Sequence, residues 1–173
     1  MLYLCTLHLT MKNIISLFCL LLTFSVMPVN GYFQKTGFDR AAFYTAMAAE
    51  TMDEINTQLN IIKASSINEK EAFEGALLMK KAGLVAKAKD KLGLFKEGRK
   101  KLEASIKKNN DNTEYCFLRL IIQEHAPKAL DYRNDIDHDS NLVRSNYKNL
   151  SPAAQQAVID YSKKSKALKG LVP

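Results

Sequence analysis

Between residues 39 and 64 apolar side chains return every three, four or seven positions: Ala41, Ala48, Met52, Ile55, Leu59 and Ile62. That spacing keeps them on one side of an α-helix. Thr36 or Asp39 stands where a cap would accept the first free backbone N–H groups. Ser65-Ser66 interrupts the pattern, and Ser66-Ile67-Asn68-Glu69 has the form of a capping box, in which serine and glutamate satisfy each other's backbone donors. A second helix is predicted from there through Phe73, Ala76, Leu77 and Met79, stopping near Gly83, a residue suited to a left-handed cap.

A third helix is predicted over residues 88–108. Ala88, Leu92, Phe95, Leu102 and Ile106 keep the three-four spacing, with Arg99 as the one polar member. Gly93 and Gly98 each cost roughly 1 kcal/mol relative to alanine in such a helix. Close approach of a neighbouring helix explains them, because packing outweighs propensity. A polar turn at residues 109–112 then leads into a fourth helix over 113–125, with Pro127 as its stop. Residues 126–140 have no regular period, and a short helix is expected near 141–148. Ser151-Pro152 supplies a cap and a first-turn proline for a last helix, which Ala154, Ala157, Val158, Tyr161 and Leu168 line on one face. The final residues are expected to fray. Sustained two-residue alternation is missing, so the fold class is all-α, an arrangement of about five to six helices in antiparallel hairpins or an irregular bundle.

The stretch LGLFKEGRKKLEASIKKNNDNTEY, residues 92–115, resembles the second helix of a tetratricopeptide repeat running into the next unit. Gly93, Phe95, Gly98 and Asn109 to Asn112 occupy the places of that family's glycine, aromatic, small residue and closing turn. Asn110 stands where the family has proline, and no second copy follows at a 34-residue period. The resemblance implies helical hairpins and a role in binding peptides or partner proteins.

The first thirty residues change the picture, because they hold almost no charge. Met11-Lys12, the thirteen-residue run IISLFCLLLTFSV and then MPVNG have the order of a secretion signal. Residues 1–31 are therefore expected to be a leader and 32–173 a single helical domain, secreted or periplasmic. Met11 is an alternative start. The apolar run is shorter than the ~20 residues of a membrane span, although the apolar residues before it make an uncleaved anchor the alternative. Past the leader only Cys116 remains of the three cysteines, so packing rather than a disulfide must hold the fold.

Charge is concentrated in one place. Of a net +7, residues 80–108 alone carry +8, with 11 basic and 3 acidic side chains. Lys87, Lys91, Lys96, Lys100, Lys101, Lys107 and Lys108 form a candidate patch for an anionic surface, with a solvated helix face as the plainer reading. No nucleic-acid motif accompanies it, and a nucleic-acid partner is not expected.

Catalytic constellations are poorly represented. Cys116 and His125 lie nine residues apart on one predicted helix, which puts them on opposite sides and about 13 Å apart along the axis. Pairing of Cys116 with His138 stays open. Asp135, Asp137 and Asp139 alternate as at the start of a calcium loop, but Ser140 and Asn146 occupy the positions of the turn glycine and the bidentate glutamate. A polar loop in which Asp139 or Ser140 caps the next helix is the competing reading. Zinc, phosphate-loop, nucleophile-elbow and dinucleotide motifs are missing, so neither a cofactor nor an enzymatic activity is expected. The resulting expectation is a binding or scaffold module for a protein or peptide. The alternative is a basic helical protein attached electrostatically to an anionic envelope surface.

Overall fold

In the computed structural model, which describes residues 37–110 and 112–171, Asp39 opens the first helix. Its carboxylate accepts the N–H groups of Ala41 at 2.8 Å and Ala42 at 3.3 Å. Helix α1, Arg40–Ala48, buries Phe43, Tyr44, Ala46 and Met47. The single helix expected over residues 39–64 is in fact two. Ala49 and Thr51 adopt extended backbone, and α2 starts afresh as Met52–Ala64. The break has a packing reason: the bulky Phe43, Tyr44 and Met47 take the core side, leaving Ala41 and Ala48 exposed, while α2 buries Ile55, Leu59 and Ile62 as the spacing predicts.

Helix α3, Lys70–Leu84, begins four residues after Ser66, so the capping box does not form. Glu69 instead accepts a hydrogen bond from Arg40 at 2.8 Å. Gly83 lies inside α3, and the helix ends at Leu84 when Val85 turns extended rather than left-handed. Every residue from 72 to 79 is buried, because α3 runs through the middle of the domain and touches α1, α2, α5 and the next helix, α4 (Ala88–Lys108). Helices α3 and α4 lie antiparallel, and their backbones meet at Gly75 and Gly98. Gly93, by contrast, has open space around it and takes no part in this approach.

Asn109 ends α4, and the Asn112 side chain caps α5, Thr113–His125, by accepting the Tyr115 N–H at 3.0 Å. Both helices have the bounds that the sequence pattern predicts. A 3-10 turn over Lys128–Leu130 and a left-handed Asp131 follow. Helix α6, Ile136–Asn146, starts five residues ahead of the expected 141 and packs on α5. After a second 3-10 turn, Tyr147–Asn149, Ser151 caps α7, Pro152–Ser162. Leu168 is fully buried, but it reaches the core from beyond the end of α7 rather than from its face.

The described residues thus hold seven α-helices and no strand. A chain of rings joins four of them: Phe43 stacks on Phe73 at 4.5 Å, Tyr44 meets Phe117 at 5.9 Å, and Phe117 meets Tyr161 edge-on at 5.9 Å. Such pairs contribute about 0.5–1.5 kcal/mol each beyond their buried area. The expected leader at residues 1–31 lies outside the described residues. Among the described helices none is long and apolar enough to cross a membrane.

Candidate functional site

A groove of about 960 Å3 lies between α1, α3, α4, α5 and α7. Tyr44 and Met47 of α1, Met79 and Gly83 of α3, Leu92 and Phe95 of α4, Phe117 and Ile121 of α5 and Ala157 of α7 build its mainly apolar wall. The segment from Pro127 to Leu130 adds an edge. The first two turns of α4 border the space with Ala88, Lys91, Leu92 and Phe95. Leu92 is 42% exposed, the one large apolar side chain left in water among the described residues. Its volume is near the upper end of ligand pockets, which run to about 1,000 Å3, and its apolar lining with few polar groups is typical of them.

The charged groups of the groove are three lysines and one aspartate. Lys80, Lys91 and Lys164 line it, and none of the three forms an ion pair with a described residue. Burial and the neighbouring Lys164 charge lower the pKa of Lys80, against a smaller opposing pull from Glu50. Lys164 sits 5.7 Å from the Tyr161 ring centre. Asp160 is already engaged by Lys163 at 2.7 Å and by Gln156 at 3.0 Å. A smaller recess of about 400 Å3 adjoins this corner, sharing His125, Tyr161 and Lys164 and mixing Arg133 and Lys166 with Glu124 and Asp137.

The lysines singled out by the sequence do not form one patch. Lys96, Lys100 and Lys107 are exposed on the side of α4 away from the core, at four- and seven-residue steps that Lys89 extends. Lys101 turns toward α3 and binds Glu71 at 2.8 Å and Glu74 at 3.1 Å. Lys91 faces the groove. Lys87 and Lys108 are exposed at the two ends of α4.

Asp135, Asp137 and Asp139 do not stand on a loop, since Asp135 begins α6 and the other two lie in its first turn. Their carboxylates are not presented together. Asp139 is completely buried against Arg119, accepting from Nε and Nη2 at 2.7 Å each. Asp135 lies 3.6 Å from the same guanidinium and accepts from Gln123 at 2.9 Å, whereas Asp137 is exposed. Cys116 and His125 are likewise separated: the thiol is buried, and the exposed imidazole has Nδ1 2.9 Å from the Ile121 carbonyl. Burial first, then the Asp139 charge, pushes the Cys116 thiol up to about 12, so it stays protonated and unreactive at neutral pH. His138 Nδ1 is 3.1 Å from Asp139, so cysteine and histidine share that carboxylate as a neighbour.

Sequence reasoning missed the groove because no segment supplies more than a few of its residues. Only Leu92, an apolar residue at the lysine-rich start of α4, carried a local signal. The chain matches no family model, no curated protein and no solved structure.

Proposed function

We propose that this chain is an exported, non-catalytic binding module that receives an apolar guest in the groove between α1, α3, α4, α5 and α7. The observation that carries this reading is an apolar volume of about 960 Å3 with Leu92 left exposed at its edge. Burial of such a surface by a guest is favourable, at roughly 25 cal/mol per Å2 removed from water. The tetratricopeptide resemblance of residues 92–115 points the same way, since that family binds partners on helical walls.

A neutral apolar dye such as N-phenyl-1-naphthylamine tests the reading. Its fluorescence is expected to rise on titration with the folded chain and to saturate at one dye per protein. Gly83→Leu adds bulk to the groove wall at a position with nothing within 4 Å of the new Cβ, so the helix tolerates it. This variant is expected to melt no lower than the parent and to bind the dye at least tenfold more weakly. Dye binding that ignores the substitution, or no binding at all, overturns the reading.

A second reading is attachment to an anionic surface, favoured by the exposed row Lys89, Lys96, Lys100 and Lys107. Co-sedimentation with phosphatidylglycerol vesicles at low salt, lost at high salt, supports it. Equal or absent pelleting at both salts removes it.

A further inference from the structure

Lys80, Lys91 and Lys164 line one apolar groove and form no ion pair with a described residue, and burial and then the Lys164 charge lower the pKa of Lys80. Placing like charges together beside a desolvating wall costs stability unless a negative group arrives to offset it. The carboxylates nearby do not fill that role. Asp160 is bound to Lys163 and Gln156, and Glu124 accepts from Ser165 and from two backbone N–H groups. Glu50 acts on Lys80 only at a distance. The groove therefore joins a mainly apolar lining to three lysines and a single carboxylate, Asp160, that is already engaged.

Resting on the groove reading, we propose that the guest is a single-chain anionic amphiphile, a long-chain fatty acid, with its carboxylate between Lys80 and Lys164 and its acyl chain along Met47, Leu92 and Phe95. Charge complementarity favours it over an uncharged apolar molecule, which would leave the two ammonium groups unmatched. One compact carboxylate on one chain is enough to face both ammonium groups. The adjoining recess mixes Arg133 and Lys166 with Glu124 and Asp137, a lining of both signs rather than a second cluster of cations alone.

Calorimetric titration of the full chain with decanoate, dodecanoate and methyl dodecanoate, below their aggregation limits, tests the assignment. Dodecanoate is expected to bind one to one, about fifteenfold tighter than decanoate because two more methylenes are buried. It is also expected to bind at least tenfold tighter than the methyl ester. The double variant Lys80→Gln/Lys164→Gln is expected to abolish that preference, and a cooperative thermal melt of the empty variant shows that it is folded. Equal affinity for acid and ester in the parent, or a preference that survives the double variant, overturns the head assignment while the groove reading stands. Binding of neither compound to the folded chain overturns both. Tight binding of an amphipathic Leu/Lys helical peptide with none of dodecanoate assigns the groove to a protein segment and overturns the proposal.

Discussion

Gly75 on α3 and Gly98 on α4 meet backbone to backbone. A Cβ built on Gly75 falls 2.7 Å from the Gly98 carbonyl oxygen and 2.8 Å from the Leu102 nitrogen, and one on Gly98 falls 2.5 Å from the Gly75 oxygen. The obstructing atoms are main chain, so they yield only if one whole helix moves. Gly75→Ala and Gly98→Ala are each expected to lose roughly 1–3 kcal/mol by overpacking, despite about 1 kcal/mol gained in helix propensity. Gly93, with nothing within 4 Å, is the control. Gly93→Ala is expected to gain about 0.5–1 kcal/mol, and urea denaturation separates the two outcomes by sign.

How much of this was legible depends on sequence distance. The bounds of α4 and α5 follow from local signals: an apolar three-four spacing, an Asn-rich turn, and a cap at Asn112. The close approach at Gly98 was readable as well, because a glycine inside an otherwise regular helix needs a packing reason. Its partner Gly75 lies inside a predicted helix too, but nothing local pairs two glycines 23 residues apart. The break between α1 and α2 was hidden because Ala49 and Thr51 have ordinary side chains, and only competition for the core between Phe43 and Ala41 decides it. The groove and the Arg119 cluster are assembled from several helices, and no period within one segment records them.

Arg119 and Asp139 illustrate the second kind of information. Their bidentate pair is buried, and Glu103 at 3.1 Å and Asp135 at 3.6 Å complete the charge around the guanidinium. Arg119→Met strands a fully buried carboxylate and is expected to cost about 3–5 kcal/mol. Asp139→Leu is milder, since Glu103 and Asp135 still face the guanidinium. The double variant Arg119→Met/Asp139→Leu is expected to be more stable than Arg119→Met alone, which a thermodynamic cycle by denaturant unfolding measures directly.

Glu124 fastens the chain beyond α7. Burial works to raise its pKa, but hydrogen bonds from Ser165 at 2.6 Å, the Lys166 N–H at 2.9 Å and the Ala167 N–H at 3.1 Å outweigh it and hold the carboxyl below its ordinary range. A lowered folded-state value means that this group's stabilisation is fully present above its unfolded pKa, about 4.3, and is lost as pH falls through the folded value. Unfolding free energy measured from pH 7 to pH 3 is expected to fall more steeply for the parent than for Glu124→Gln. At pH 7 the variant's Lys166 and Ala167 amides are expected to exchange hydrogen faster, while those of α3 do not change.

Lys80 shows the opposite sign. Burial and Lys164 lower its pKa, so below the folded value the empty protein bears a penalty for keeping this ammonium charged. The penalty is relieved as pH rises from the folded value toward the unfolded one near 10.5. Lys80→Met removes the charge and keeps the apolar stem, so at pH 7 it is expected to melt higher than the parent in the absence of any guest. That advantage is expected to shrink steadily as the melts are repeated toward pH 10. A saturating anionic guest is expected to reverse the order at pH 7, because it stabilises the parent by an amount set by its concentration over Kd and the variant by less. A binding residue that lowers the stability of the unliganded fold is the cost expected of a site whose charge is completed from outside.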